Sequence, residues 1–118
     1  MTSSPLQTAV CALIAENLAS LRAIVVELGD EHVNTTPALP GANSCYAIVF
    51  HCTEMLKSWL GSVIGGERIP RDRAAEFTAR GTAADLVAAI DDVSTRIDAW
   101  VDIALTEGPR DRTAGGST

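Results

Sequence analysis

The chain has 118 residues and a mass of 12.4 kDa, which corresponds to one domain with a single modest core. Hydrophobic residues make up 47% of it and aromatic residues only 4%, so Leu, Val, Ile and Ala must build that core. The formal net charge is −6. Binding to nucleic acid or to anionic lipid requires an excess of Lys and Arg, so the acidic balance argues against both partners.

The N-terminal segment lacks the features of a secretory signal. It has no positively charged start, and Gln7, Glu16 and Asn17 interrupt its first apolar stretch. His51 and Lys57 interrupt the most hydrophobic segment, so no apolar run is expected to reach the roughly 20 residues that cross a bilayer. The sequence therefore predicts a soluble cytoplasmic protein with no membrane partner.

The three cysteines are Cys11, Cys45 and Cys52, an odd number with no Cys-x-x-Cys pair. If Cys45 and Cys52 share a helix, they lie about 10 Å apart, which is too far for a disulfide. They are therefore predicted to be reduced thiols of the core. A reactive thiol at Cys52, next to His51, is the alternative.

The first predicted helix begins at Pro5, where Ser4 can cap it and where the missing N–H of proline costs nothing. Residues that predict one buried helical face follow at spacings of three and four. They are Leu6, Val10, Leu13, Asn17, Leu21, Ile24 and Leu28. Gly29 predicts the end of the helix.

Residues 30–42 are rich in Pro, Asn and Thr and predict a surface connection. A second helix then begins at Asn43 or Ser44 and ends at Gly65. Its predicted buried face comprises Cys45, Ile48, Cys52, Met55 and Trp59, widened by Val49, Leu56 and Val63. His51 lies beside that face, on a flank of small polar residues.

The segment 65–81 combines arginines with acidic residues. They are Arg68, Arg71, Arg73, Arg80, Glu67, Asp72 and Glu76. Because the charges nearly cancel, the pattern favours a solvated loop with weak ion pairs, although an arginine cluster could instead hold an anionic ligand. Phe77 is expected to fix this loop on the helices.

Thr82 and Asp85 resemble a capping box and predict the start of a third helix. Its apolar face comprises Leu86, Ile90, Val93, Ile97, Trp100 and Ala104. From Glu107 onward, Gly, Pro and scattered charges predict a disordered tail. The chain is thus divided into a helical domain at residues 1–106 and a tail at residues 107–118.

These elements predict an all-α fold, an up-down bundle of three long helices. Their apolar faces are wide for three helices, and the tail has no apolar periodicity that would supply a fourth. A second copy packed by two-fold symmetry would cover the remaining surface. The sequence therefore predicts a homodimer.

Three motifs resemble the DinB-like superfamily. They are the Asn43-Ser44 helix start, His51 in mid-helix, and the run Ile-Pro-Arg-Asp-Arg-Ala-Ala-Glu-Phe at residues 69–77. Within that superfamily the chain is most similar to the N-terminal domain of mycothiol-dependent maleylpyruvate isomerase and to related thiol transferases. The likeness covers roughly residues 5–105 and implies a four-helix bundle, of which this chain carries three helices.

The resemblance also implies a divalent metal, zinc or nickel, which family members bind through one histidine of the second helix and two of the fourth. His51 would be the first ligand. His32 matches no ligand position, so two family ligands are absent. Glu54, one turn from His51, is the candidate second ligand or orienting group, and an internal His51–Glu54 hydrogen bond is the alternative.

Two functions of different classes follow. The first is that of a metal-dependent transferase or isomerase relative acting on a low-molecular-weight thiol such as mycothiol, with an incomplete site that leaves it inactive alone. The second is a non-catalytic module for dimerisation or for binding a small ligand.

Overall fold

The computed structural model describes residues 4–110. The helices are α1 (Pro5–His32), α2 (Cys45–Leu56), a π-helix that continues α2 (Lys57–Ile64), the single turn α3 (Arg73–Glu76) and α4 (Ala83–Thr106). This part of the chain forms no strand. The predicted all-α helical bundle is confirmed, and α3 and the π-helix are additions that the sequence did not predict.

Three helices start where the sequence predicts. The hydroxyls of Ser4, Ser44 and Thr82 each accept a hydrogen bond from the backbone N–H three residues further on, at 3.0, 3.1 and 3.0 Å. Each bond satisfies an amide that the first turn of a helix leaves without an intrahelical partner. The caps are local interactions, which is why the sequence pattern was sufficient to locate them.

The regular path of α1 is interrupted at Gly29, the predicted end, and one further turn follows the break. Gly29 breaks the helical path with φ 61°, a conformation that glycine adopts without steric cost. The following turn contacts the start of α4, where Asp30 accepts a hydrogen bond from the N–H of Ala83 at 2.7 Å. Nearby, the Asn34 amide exchanges two hydrogen bonds with the backbone of Gly81, at 2.7 and 3.2 Å. These bonds join the first connection to the segment that precedes α4.

Helix α4 supplies the centre of the core. The buried members of its predicted apolar face are Leu86, Ile90, Val93, Ile97 and Trp100, each at most 2% exposed. Helix α1 packs mainly against α4, while its contact with α2 is slight. The predicted α4 face is therefore confirmed for these five residues, because it is enclosed by α1 on one side and by α2 with the π-helix on the other.

The predicted buried face of α1 is confirmed only in part, at Val10, Leu21 and Leu28, which are partly buried against the core. Leu6, Leu13 and Ile24 are exposed, whereas Leu18 and Val25 are buried against the rest of the core. Apolar residues occur on several sides of α1, so the spacing of three and four fits more than one face. Contact with α4 then decides which of these faces is buried.

The expectation that no apolar run is long enough to cross a bilayer is wrong for α1. Its best 18-residue window has a mean hydropathy of 1.8 and is 11% buried, so by length and composition alone α1 could cross a bilayer. Core helices of soluble proteins and N-terminal signal sequences pass the same test. The expected absence of a membrane partner and the cytoplasmic location stay predictions.

The buried face of α2 shares Val49 with the predicted face but is otherwise rotated from it. Its buried residues are Tyr46, Ala47, Val49 and Thr53. The predicted core residues Ile48, Met55 and Trp59 are exposed. Apolar residues lie on more than one side of α2, and the wider turns of the π-helix shift the direction of the side chains beyond Leu56.

A close contact joins the π-helix to α4. A Cβ atom built on Gly61 would lie 2.5 Å from Ile69 Cδ1 and 3.1 Å from Trp100 Cζ2, so even a methyl group there would require both side chains to shift. Trp100 Nε1 donates to Glu67 Oε2 at 2.6 Å, and Arg96 donates to the other oxygen of Glu67 at 2.5 Å. Glycine at position 61 therefore permits the close packing of the π-helix against α4. The hydrogen bonds of Glu67 hold the loop that follows the π-helix against α4.

The predicted tail begins with an ordered turn. Arg110 donates its backbone N–H to the carbonyl of Ile64 at 3.2 Å, and its guanidinium pairs with Glu107 at 2.8 Å. Residues 107–110 thus differ from the predicted disorder, because they close onto the end of the π-helix. The remainder of the predicted tail, residues 111–118, lies outside the described residues.

Candidate functional site

The segment between the π-helix and α4 buries a carboxylate. Asp72 caps α3 by accepting the N–H of Ala75 at 3.1 Å, and this single turn directs Glu76 toward α2. The Glu76 residue is 1% exposed. A charge taken out of water at this depth requires compensating partners. The interpretation of this segment as a purely solvated loop is therefore wrong at Glu76.

Two side chains compensate Glu76. Arg71 donates from Nε to Oε2 at 2.8 Å and from Nη2 to Oε1 at 3.2 Å, a two-pronged contact that matches the planar carboxylate. His51 Nδ1 lies 2.7 Å from Oε1. We call these three residues the Glu76 network; it joins the middle of α2 to the loop that follows the π-helix.

Burial by itself raises the pKa of Glu76, but the hydrogen bonds from Arg71 and His51 bring that pKa below its ordinary value. Glu76 is therefore ionised at neutral pH and can only accept hydrogen bonds, so we infer that His51 Nδ1 carries the donated proton. The second ring nitrogen, Nε2, makes no hydrogen bond within residues 4–110. It is the atom of His51 that can interact with a ligand.

Phe77 fixes the orientation of the imidazole from a second side. Its ring stacks on that of His51, with centroids 5.6 Å apart and planes inclined by 24°. This contact joins the loop to α2, as the sequence predicts for Phe77. With Glu76 at one edge and Phe77 against one face, His51 has little freedom to rotate.

A pocket of about 200 Å³ opens beside the Glu76 network. Its lining residues are His51, Met55, Trp59, Arg71 and Arg73. We call it the His51 pocket. It combines an imidazole with two guanidinium groups, a thioether and an indole, so its lining is both polar and apolar.

The two predicted metal ligands, His51 and Glu54, have different partners and line different pockets. His51 uses Nδ1 for Glu76, so the predicted alternative of a His51–Glu54 hydrogen bond is wrong. The Glu54 carboxylate instead lies 3.5 Å from Lys57 Nζ, and it lines a separate pocket of about 180 Å³ that also contains Arg71. His32 is far out on the surface, 3.9 Å from Glu31.

The described residues do not fit a complete metal site. Within residues 4–110, no group of three or more His, Cys, Asp or Glu side chains is placed to hold a metal ion. Catalytic zinc sites typically use three protein ligands. Arg71 and Arg73 line the His51 pocket together with His51, and their positive charges oppose the binding of a dication there. Zinc or nickel binding at His51 and Glu54 stays a prediction.

The cysteines Cys11, Cys45 and Cys52 are free and partly buried. Burial raises the pKa of Cys45 and of Cys52. A reactive cysteine needs the opposite shift, toward the thiolate. The structure therefore argues against the alternative of an activated thiol at Cys52.

Sequence reasoning identified His51 but missed Glu76 and Arg71 as its partners. Alternating charges in segment 65–81 concealed which carboxylate would be enclosed. The Ile-Pro-Arg-Asp-Arg-Ala-Ala-Glu-Phe run was the available signal, since it contains Arg71, Glu76 and Phe77. Its significance depended on contact with His51, which lies 25 residues away from Glu76 along the chain.

The sequence model of the DinB superfamily matches residues 13–114, a range that includes α2 and the whole Glu76 network. No curated protein and no solved structure matches significantly. The nearer likeness to the mycothiol-dependent isomerase domain therefore stays a prediction. The superfamily match covers most of the sequence and agrees with the helical fold, so this chain belongs to the DinB superfamily.

Proposed function

We propose that this DinB-superfamily domain is a non-catalytic module that binds a small molecule in the His51 pocket. The observation that carries the proposal is the fixed orientation of His51, held by the buried Glu76 at 2.7 Å and stacked on Phe77. Ligand sites commonly combine a few fixed polar groups with apolar walls. A group oriented in advance loses little freedom when a ligand binds.

The lining of the pocket favours binding over catalysis. Its described lining residues include one imidazole, that of His51, and no carboxylate or thiol that could serve as a second acid or base. Arg71 and Arg73 stay protonated, so they can attract or orient a ligand but cannot act as acid or base. Met55 and Trp59 supply contact area and no proton transfer.

Ligand binding can be tested by NMR on the full chain after treatment with EDTA. Three small probes of different charge are titrated: phenylacetate, benzyl alcohol and benzylamine. We expect at least one of them to shift the Trp59 indole and His51 imidazole signals in a saturable way. If none shifts these signals at millimolar concentration, the proposal is wrong.

A matched pair of variants separates the pocket from the rest of the surface. Met55 lines the His51 pocket, whereas Ile48 is an exposed residue of the same helix that does not. Met55→Phe narrows the pocket and should weaken binding of the probe that shifts the Trp59 signal, while Ile48→Phe should not. Equal effects of the two substitutions would indicate binding elsewhere.

The second candidate is a metal-dependent relative of thiol transferases, and one observation favours it. A carboxylate on the far nitrogen of a histidine is the usual way in which proteins orient a metal-binding imidazole, and Glu76 makes this contact to His51. The remaining ligands would have to come from outside residues 4–110 or from a second copy.

Elemental analysis tests the metal candidate directly. One zinc or nickel ion per chain, lost in His51→Ala, would support it. Glu54→Gln should lower the metal content only if Glu54 is a ligand, as the sequence predicts. Substoichiometric metal in the wild-type chain after loading with either ion would overturn this candidate.

A further inference from the structure

Resting on the proposed binding function, we infer that the His51 pocket selects a small carboxylate that also carries a hydroxyl or thiol group and an apolar part. The charges around the pocket, the hydrogen-bonding state of His51 and the composition of the walls each define one part of this ligand class.

The two arginines favour a ligand that carries a carboxylate. Arg71 donates from Nε and Nη2 to Glu76 and has Nη1 left for another acceptor. The charges of Arg71 and Glu76 cancel. Arg73 forms no ion pair with the carboxylates of residues 4–110, so it leaves a net positive charge at the pocket. Guanidinium groups bind planar carboxylates through parallel hydrogen bonds.

His51 favours a ligand that also carries a hydroxyl or thiol group. His51 Nδ1 is engaged with Glu76 Oε1 at 2.7 Å, so Nε2 is the ring nitrogen left for a ligand, and in the tautomer that carries its proton on Nδ1 this atom presents a lone pair. A bare carboxylate oxygen would meet this lone pair with no proton between them. A ligand that places an O–H or S–H group there supplies the missing donor, while its carboxylate reaches Arg73.

The remaining lining residues favour a ligand with an apolar part. Met55 and Trp59 line the pocket and are exposed to solvent in the free chain. An apolar group packed against the thioether and the indole face would remove water from both. The pocket volume of about 200 Å³ limits this group to a small one.

Neighbouring acidic side chains do not line the His51 pocket and so do not replace its positive charge. Glu54 and Asp72 line the separate pocket beside Arg71 rather than the His51 pocket. Glu54 is also paired with Lys57, and Asp72 caps α3. Within the His51 pocket itself the charged groups are therefore cationic.

Three matched probes test the ligand class by NMR titration of the full chain. Mandelate carries a carboxylate, a hydroxyl and a phenyl ring; phenylacetate lacks the hydroxyl, and benzyl alcohol lacks the carboxylate. We expect mandelate to bind most tightly and each of the others to bind about fivefold more weakly or worse, since each loses one hydrogen-bonding group.

A pair of arginine variants tests the role of Arg73. Arg73→Gln should weaken mandelate about fivefold and leave benzyl alcohol unchanged, because only mandelate has the charge that Arg73 attracts. Arg68→Gln removes an exposed arginine of the same loop that does not line the pocket, and should leave the mandelate affinity nearly unchanged.

The outcomes distinguish the two proposals. Equal affinity for all three probes overturns the ligand class but leaves the binding module intact. Phenylacetate that binds as tightly as mandelate overturns the requirement for a donor at Nε2. Equal weakening by Arg68→Gln and Arg73→Gln shows only a general charge effect and also overturns the inference. Absence of any binding overturns both proposals.

Discussion

Helix α2 separates two regions that differ in what they bury. On one side Glu76 is a fully enclosed carboxylate, 1% exposed. On the other side an apolar groove of about 590 Å³ between α1 and α2 leaves Ile24 and Ile48 at 47% and 51% exposed. The difference shows that burial in this small domain follows the partners available to each side chain, and not hydrophobicity alone.

The physical reason is the arrangement of the helices. Helix α1 packs on α4 and contacts α2 only slightly, so the groove between α1 and α2 stays open. The segment that contains α3 covers the opposite side of α2 and brings Arg71 and Glu76 to His51. A charged group that has two hydrogen-bonding partners is enclosed, whereas an apolar face that no other helix covers is left exposed.

The largest expected effect comes from removing the enclosed carboxylate. Glu76→Ala leaves Arg71 and His51 without their shared acceptor and should lower the free energy of unfolding by about 2–3 kcal/mol. Ile48→Ala removes a half-exposed apolar side chain and should cost within about 1 kcal/mol. Urea denaturation of both variants measures the contrast, and equal costs would contradict the comparison.

Acidification should weaken the enclosed region next. The pKa of Glu76 in the folded chain lies below its ordinary value of 4.5, so its contribution to stability is complete above about pH 4.5 and is lost as the pH falls through the lowered pKa. The Glu76→Gln variant should therefore show a flatter decline in the free energy of unfolding between pH 5 and pH 3, roughly the range in which carboxyl groups titrate.

Glu107→Gln provides the control for this titration. A hydrogen bond from Arg110 also lowers the pKa of Glu107, but that pair is exposed to solvent. Exposed ion pairs contribute little to stability. The pH profile of Glu107→Gln should follow the wild-type profile, and a flattening as large as that of Glu76→Gln would show that burial of Glu76 is not the cause.

The open region is the place to test the predicted homodimer. If a second copy covers the apolar groove, light scattering at micromolar concentration should give the mass of a dimer. Ile24→Asp combined with Ile48→Asp should then produce a monomer, because charge in a buried apolar interface is costly. Leu105→Asp, on an exposed part of α4, should keep the wild-type mass. A wild-type monomer would overturn the prediction.

The smallest effect is expected where α1 meets α4 at the surface. Arg22 Nε lies 2.9 Å from Asp91 Oδ1, with both side chains about half exposed at 47% and 51%. A double-mutant cycle with Arg22→Ala and Asp91→Ala should give a coupling energy of about 0.2–1 kcal/mol that falls with added salt. A larger coupling would mean that this pair, rather than the core, orients α1.

Local chemistry made several elements predictable. Ser4, Ser44 and Thr82 cap their helices through contacts of three residues, and Gly29 breaks α1 at the predicted point. The α4 face was predictable because its five large apolar residues form a single stripe among aspartates. Such features depend on neighbours in sequence and not on the rest of the fold.

The buried faces of α1 and α2 were not predictable in the same way. Leu13 and Leu18 of α1 are equally apolar, and Ile48 and Val49 of α2 nearly so. The sequence offers no measure of which residue of each pair contacts another helix. The site had the same difficulty. His51 was identified from its position and the family resemblance, whereas its actual partner is Glu76 and not the nearby Glu54.

The sequence by itself therefore determined the helical class, the helix starts and the α4 stripe, because these follow from short-range periodicity and capping. Only the tertiary structure decided that Glu76 is enclosed, that Arg71 and His51 share it, and that the groove beside Ile24 and Ile48 stays open. Those outcomes depend on which surfaces contact each other in the folded chain. The charge pattern of segment 65–81 does not indicate which helix packs against that segment.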